Sequence, residues 1–428
     1  MREMICCLRT RSRLFVVVMI ALGLLLASPS LAQRNPFELA QSAFSARERG
    51  QYPVAIRLFD EALQQGRFGD KERGLILYGR GTSYEALGSR ERALADLDAS
   101  IALFPDYPNA YLYRGIIWGE TGQYMRAIQD FLTARKLNPS EPLVFNNLGN
   151  VYERLGDLER AIENYGRAIG LSAGDAKAYY NRAHAYFLKQ ESDLALSDYD
   201  KAISLQPNFG DAYVNRAVVR LIRRDLTGAL ADLDIALQLN PRDLTARFNR
   251  ATINLGRENY DAALGDFNRA LEFSPGNAAL YVGRGQTYLY SGAAAASISD
   301  FQTAARLRPS SPYPVIWLHI ARVHKSEDDH EELSGNIKSI ASDAWPSAVL
   351  ALYLGTQNRE SVLAAAEKGN PTEQIQRDCE AKFFLGEFEL HNGETRQARA
   401  SLGEVISMCG PQEGVYSAAI AESKLLPK

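Results

Sequence analysis

The chain has 428 residues, of which 46% are hydrophobic and 23% charged, and its formal net charge is −3. This composition excludes a disordered chain, a collagen-like chain and a membrane protein with several spans. Length alone would suggest two or three domains, but that expectation fails if the chain is built from internal repeats.

The first 32 residues have the pattern of a cleavable signal peptide. Four arginines, at positions 2, 9, 11 and 13, precede an apolar run at 14–26, which is short for a permanent membrane span. Ser30 and Ala32 supply the small residues of a cleavage site. We expect residues 1–32 to be a signal peptide that is cleaved after Ala32, leaving a periplasmic or secreted chain with no stable membrane anchor. A retained anchor is the alternative.

Cleavage would remove four basic residues and one acidic residue, changing the net charge from −3 to −6. A mildly acidic surface attracts neither nucleic acid nor anionic lipid, so we expect neither as a partner.

Prolines recur after the leader in steps of 34 residues or a multiple of 34. Within each step a large apolar residue stands at place 4, a small residue at place 8, Ala at places 20 and 27, and another apolar residue at place 24. Places 4, 8 and 11 share one stripe of a helix, and places 20, 24 and 27 share a stripe of a second helix. Each step therefore predicts an amphipathic helical hairpin, which must stack on its neighbours to bury both stripes.

This spacing resembles the tetratricopeptide repeat family. The resemblance implies an all-α fold, a right-handed α-solenoid of stacked hairpins, and a role in binding other proteins. The unit that starts at Pro108 carries the motif as Tyr111, Gly115, Trp118, Ala127, Phe131, Ala134 and Pro139. We expect eight units, at 36–69, 74–107, 108–141, 142–175, 176–209, 210–243, 244–277 and 278–311.

Six units carry Arg at place 7 and Asp at place 23, and the two units without the Arg also lack the Asp. Joint presence and absence predicts structural ion pairs between the two helices of each hairpin, with no catalytic role. The pairs are Arg80 with Asp96, Arg114 with Asp130, Arg182 with Asp198, Arg216 with Asp232, Arg250 with Asp266 and Arg284 with Asp300.

The period weakens after Pro309. We expect degenerate helical hairpins over 312–370, a final repeat-like unit at 379–412, and a capping helix and tail at 413–428. Cys379 and Cys409 would stand at the two ends that an antiparallel hairpin brings together, which predicts a disulfide in an oxidising compartment. Two buried free thiols are the alternative.

Residues 312–424 are also similar to the "new lipoprotein I" type of bacterial cell-envelope tetratricopeptide proteins. The matching stretches are Trp317-Leu318 with Ala321, residues 352–355, and residues 383–387. The resemblance implies an adaptor that brings peptidoglycan hydrolases and a processing protease together. Two features differ from that family, since the lipid-bearing cysteine is absent and the repeat array is longer.

The first helices of stacked hairpins would line a concave groove, which becomes apolar in units five to eight. An open apolar groove needs a ligand or a covering element, so a partner's peptide and the chain's own tail remain alternative occupants. The predicted groove residues are Tyr180, His184, Phe187, Leu188, Val214, Val218, Leu221, Ile222, Phe248, Leu255, Val282, Leu289 and Tyr290.

The sequence contains no known zinc-protease, phosphate-loop or nucleophile-elbow motif, so we expect no enzyme activity, cofactor or metal. The acidic segment between His324 and His330 reads as a solvated loop and not as a metal site. The leading function is an exported scaffold or adaptor that binds protein or peptide partners, with cell-envelope hydrolases and proteases as candidates, in its groove. The alternative is a structural subunit of an envelope secretion or polysaccharide-assembly complex that uses its convex surface.

Overall fold

The computed structural model describes residues 35–343, 345–410 and 414–426; the predicted signal peptide at 1–32 lies outside them. The described residues form 23 α-helices and contain no strand, which confirms the predicted all-α fold of helical hairpins. None of these helices combines the length and the apolar content that crossing a membrane requires. The chain divides into two compact parts, of which the first ends at Leu155 and the second begins at Gly156.

The first part is a run of seven helices. They are α1 (Pro36–Glu48), α2 (Tyr52–Gln65), α3 (Asp70–Ala86), α4 (Arg90–Leu103), α5 (Pro108–Glu120), α6 (Tyr124–Leu137) and α7 (Pro142–Arg154). Each helix packs against the next one in sequence, and the odd-numbered helices also contact one another in order. The odd-numbered helices therefore form one layer of this part, and the even-numbered helices lie against them.

The second part contains the other sixteen helices. They are α8 (Leu158–Leu171), α9 (Ala176–Leu188), α10 (Ser192–Leu205), α11 (Gly210–Ile222), α12 (Leu226–Leu239), α13 (Leu244–Gly256), α14 (Tyr260–Phe273), α15 (Ala278–Tyr290), α16 (Ala294–Leu307), α17 (Pro312–His324), α18 (His330–Ile337), α19 (Ser347–Tyr353), α20 (Arg359–Ala366), α21 (Pro371–His391), α22 (Thr395–Met408) and α23 (Tyr416–Leu425). Contacts between α9 and α11, and among α13, α15 and α17, place first helices of hairpins side by side within this part.

Local sequence sets where the helices begin. Pro108 and Pro142 open α5 and α7, where a missing backbone N–H removes no helical hydrogen bond. Asp225 and Asp243 precede α12 and α13, and each carboxylate accepts a hydrogen bond from a backbone N–H of the first turn.

The turns after the first helices need a left-handed backbone. Gly50, Gly122 and Gly292 supply it with φ of +72°, +75° and +83°. Three units place a residue with a side chain at the equivalent position and keep the same conformation. These residues are Gln190, Arg224 and Glu258, with φ of +63°, +61° and +60°.

The small residue at place 8 makes room for the large one at place 24. A Cβ added to Gly115 would lie 2.7 Å from Cε1 of Phe131, and one added to Gly285 would lie 2.6 Å from Cε1 of Phe301. Both phenylalanine side chains are fully buried between the two helices of their hairpin. The ring and the glycine thus form one complementary packing unit.

Candidate functional site

Each place-7 arginine donates two hydrogen bonds to the place-23 aspartate of its own hairpin. Nε and Nη2 reach the two carboxylate oxygens at 2.5–2.9 Å in all six pairs. The aspartates are buried, and hydrogen bonding to Asp130 is the main cause that raises the pKa of Arg114. The bidentate pair therefore joins the two helices of the hairpin.

Five of these six arginines also donate a hydrogen bond to the preceding hairpin, a contact that the pattern of places 7 and 23 did not predict. Nη1 of Arg114 donates to Asp98 at 2.6 Å, and Nη1 of Arg284 donates to Asn268 at 2.7 Å. Asp60, Asp200 and Asp234 accept the equivalent bond in other units. All these acceptors stand at place 25, so a polar residue there was the available sequence signal. The arginine ladder therefore connects neighbouring hairpins as well as the helices within one.

Cys379 and Cys409 form a disulfide with their Cα atoms 6.0 Å apart, as predicted. The expected position of Cys379 at the start of a helix was wrong, because α21 begins two turns earlier. Asn370 and Glu373 form a capping box there, and Pro371 occupies the first turn. The bridge therefore joins the interior of α21 to the residue that follows α22.

The predicted groove residues fall into three environments. Leu188 and Ile222 are exposed, whereas Tyr180, His184, Phe187, Val218, Phe248 and Val282 are partly buried. Val214 and Leu221 are buried in a cluster that also contains residues of α12 and α13. Leu255, Leu289 and Tyr290 are buried in a larger cluster with residues of the C-terminal helices.

The chain's own tail covers the last group. Helix α23 packs against α13 and α15, and its Ala418 and Ala419 are 1% and 0% exposed. Ser417 Oγ donates to the carbonyl oxygen of Thr252 at 3.4 Å. At two of the unusual left-handed turn positions, Arg224 donates to the carbonyl oxygen of Cys409 at 3.1 Å, and Glu258 pairs with Lys424. The tail is therefore one occupant of the apolar groove over α13 and α15.

Beside α23 the groove keeps a cavity of about 510 Å³. Val218, Leu221, Phe248 and Val282, all predicted groove residues, line it from α11, α13 and α15. Its remaining lining includes Tyr313 and Trp317 of α17, Glu380 and Phe384 of α21, and Val415. Tyr180, His184, Phe187 and Leu188 do not line this cavity. Sequence analysis missed the α17 and α21 residues because they lie outside the regular repeats.

One buried carboxylate belongs to the cavity lining. Glu380 is 7% exposed and accepts hydrogen bonds from the Tyr313 hydroxyl, the Trp345 indole and the Gln376 amide at 2.7–2.9 Å. Burial and the charge of Glu380 raise the pKa of Tyr313, so the hydroxyl remains a donor. A carboxylate can accept about four hydrogen bonds, so these three donors leave Glu380 the capacity to accept one more.

Comparison with known proteins identifies the repeats. Tetratricopeptide repeat profiles match residues 41–108, 176–209, 214–278 and 254–312, and a TPR repeat profile matches residues 120–156 and 154–190. Together these matches cover more than half of the chain.

Several solved structures are similar to parts of the chain. YrrB, described as a TPR protein with an unusual peptide-binding site, is 26% identical over 43% of this chain and 95% of its own, with a TM-score of 0.38. Pseudomonas aeruginosa pilF is 18% identical over 48% of this chain and 94% of its own, with a TM-score of 0.44. A tetratricopeptide repeat protein from Parabacteroides merdae is 21% identical over 58% of this chain and 98% of its own, also with a TM-score of 0.44. With its paired helices and repeat matches, the chain belongs to the tetratricopeptide repeat family, whose fold serves protein–protein interaction.

Proposed function

We propose that this protein is an exported scaffold that binds a short segment of a partner protein in the cavity of about 510 Å³ beside α23. The cavity carries the proposal, because it combines apolar side chains from five helices with the buried Glu380 in its lining. Concave apolar sites with a few fixed polar groups are the usual form of a ligand site.

The size of the cavity limits its occupant. A helix with its side chains is about 10 Å wide and fills roughly 420 Å³ per turn, so the cavity accommodates about one turn or a short extended segment. A long amphipathic helix would need the concave surface that α23 already covers. We infer a segment that inserts one or two large apolar side chains and donates a hydrogen bond to Glu380.

The export and the partner class rest on sequence patterns. The leader at 1–32 supports transport out of the cytoplasm. A disulfide between Cys379 and Cys409 is consistent with that location, because disulfides are stable in oxidising compartments such as the periplasm. The similarity of residues 312–424 to the "new lipoprotein I" type supports cell-envelope hydrolases and proteases as the partner class. The α17 and α21 stretches that carry this similarity include the cavity residues Trp317 and Phe384.

Site-specific photocrosslinking in the periplasm tests the binding site. Asn249 lines the cavity, so a photoreactive residue at this position should give a discrete crosslinked partner. Val282→Asp should then weaken binding of that purified partner at least about tenfold, because the partner would desolvate the new aspartate carboxylate. Leu239→Asp is the matched control, since Leu239 is 42% exposed at the end of α12. Val218→Thr adds a hydroxyl group to the cavity lining with little change of side-chain shape. It provides a second test of the cavity if Val282→Asp misfolds.

A partner that binds the Val282→Asp and Val218→Thr variants as tightly as the parent would refute the cavity. If Leu239→Asp alone weakened binding, the exposed surface at the end of α12 would be the interaction site in place of the cavity. Export has a separate readout: fractionation should recover a periplasmic protein whose N-terminal residue is Gln33, and a cytoplasmic protein that begins at Met1 would contradict it.

A further inference from the structure

A histidine and two buried glutamates from three different helices meet beside the tail helix. His324 ends α17, Glu387 lies in α21, and Glu422 lies in α23. His324 Nε2 is 3.4 Å from Oε2 of Glu387 and 3.6 Å from Oε1 of Glu422. The glutamates are 6% and 1% exposed, whereas the imidazole keeps 21% of its surface accessible.

The cluster has more acceptors than its protein neighbours satisfy. Within the described residues, Glu387 Oε1, Glu422 Oε2 and the Tyr290 hydroxyl are buried and have no hydrogen-bond partner. Among the same residues, His324 is the only basic side chain that forms an ion pair with either glutamate. Buried polar oxygens without partners are costly, so the site has unused capacity to coordinate a cation or hold a proton.

The two buried carboxylates lie close together and repel each other, and either an added proton or an added cation would relieve that repulsion.

The spacing of the ligand atoms favours a metal ion of a particular type. Ligand atoms about 2.1 Å from a tetrahedral zinc ion lie about 3.4 Å apart, close to the two distances from His324 Nε2. All three ligand atoms lie within 4.8 Å of one another. One imidazole nitrogen with two carboxylates suits zinc, whereas magnesium and calcium prefer six or more oxygen ligands.

We propose that His324, Glu387 and Glu422 form a binding site for one divalent transition-metal ion of the zinc type. The ion would join α17, α21 and α23, and would therefore hold the tail helix over the concave residues Leu255, Leu289 and Tyr290. The site shares no residue with the cavity lining, so it stands whether or not the cavity binds a partner.

Metal titration of the full mature chain tests the site. After treatment with a chelator, the protein should bind one equivalent of Zn²⁺, measured by competition with a chromophoric chelator, and should then unfold at a higher temperature. Excess Mg²⁺ should not compete. Glu422→Gln keeps the shape of the side chain but replaces the charged carboxylate with a neutral amide, and we expect it to weaken Zn²⁺ binding at least about tenfold. Glu331→Gln, an exposed acid in α18, is the matched control and should bind like the parent.

A second readout covers variants that fold poorly. Co²⁺ bound to the parent protein should give the visible absorption of a tetrahedral site, and His324→Gln should lose it while retaining the far-ultraviolet circular dichroism of a helical protein. The proposal is overturned if the parent binds less than one equivalent of Zn²⁺, if Mg²⁺ displaces it, or if Glu422→Gln and His324→Gln bind as tightly as the parent. In the first case the cluster holds a proton in place of a metal.

Discussion

The pair between Arg114 and Asp130 offers a quantitative test of the arginine ladder. Asp130 is 5% exposed, and Arg114 donates to its two oxygens at 2.8 and 2.7 Å. The third donor of Arg114 reaches Asp98, whose side chain is 58% exposed. Arg114→Leu would therefore leave one buried carboxylate and one exposed carboxylate without their shared cation.

The two losses differ in size. Removing one partner of a buried pair costs about 3–5 kcal/mol, because the remaining charge stays buried. The exposed contact with Asp98 is screened by solvent and adds less than about 1 kcal/mol. We expect Arg114→Leu to lower the free energy of unfolding of this hairpin by about 3–4 kcal/mol.

A double variant provides the matched control. Arg114→Leu with Asp130→Asn reproduces the residues that unit 142–175 carries at places 7 and 23, Leu148 and Asn164. No buried charge remains in this variant, so the loss should shrink to about 1 kcal/mol. The coupling between the two changes should thus be about 2 kcal/mol or more.

Native-state hydrogen exchange on α5 and α6 is the suitable assay, because long repeat arrays need not unfold in one step. Exchange from these helices should accelerate in Arg114→Leu and return most of the way towards the parent rate in the double variant. Losses that simply add, or a single-variant loss below about 1 kcal/mol, would mean that the pair does not hold the hairpin together.

Two further predictions concern the backbone. Gly285→Ala should destabilise the second part of the chain by about 1–3 kcal/mol, because the new Cβ would lie 2.6 Å from the Phe301 ring. The matched variant is Gly265→Ala in α14, whose new Cβ meets no atom within 4 Å. It should stabilise the second part by about 0.5–1 kcal/mol, because alanine favours a helix more than glycine does. Urea unfolding compares the two, and equal effects would contradict the packing explanation. Gln190→Gly should raise stability by about 0.5 kcal/mol, since the turn needs φ of +63°. Arg224→Gly should leave the unfolding temperature unchanged, because it also removes the hydrogen bond to the Cys409 carbonyl oxygen. An increase in unfolding temperature as large as that of Gln190→Gly would show that Arg224 does not hold the tail.

The left-handed turns illustrate what a repeat pattern conveys and what it omits. Glycine at place 15 marks the end of a first helix, and the structure has positive φ there. The same pattern shows Arg224 and Glu258 only as departures from the repeat. In the folded chain these two side chains contact the tail more than 150 residues away, at Cys409 and Lys424.

The C-terminal region shows the same limit. Its apolar residues predicted helices, and two cysteines predicted the disulfide. The position of α23 over α13 and α15 could not be predicted, because docking of a distant helix depends on the complementary shapes of two surfaces and leaves no period in the sequence. The cavity residues Trp317, Glu380 and Phe384 were missed for that reason.

By itself the sequence determined the helical hairpins, because their formation depends on contacts between residues at fixed short spacings and between adjacent repeats. Tertiary structure alone decided that the tail covers Leu255, Leu289 and Tyr290, that a cavity remains beside it, and that His324 meets Glu387 and Glu422. His324, for example, lies 63 and 98 positions before Glu387 and Glu422 in the sequence. Such contacts arise from non-local packing, whose outcome depends on the surfaces that the folded hairpins present.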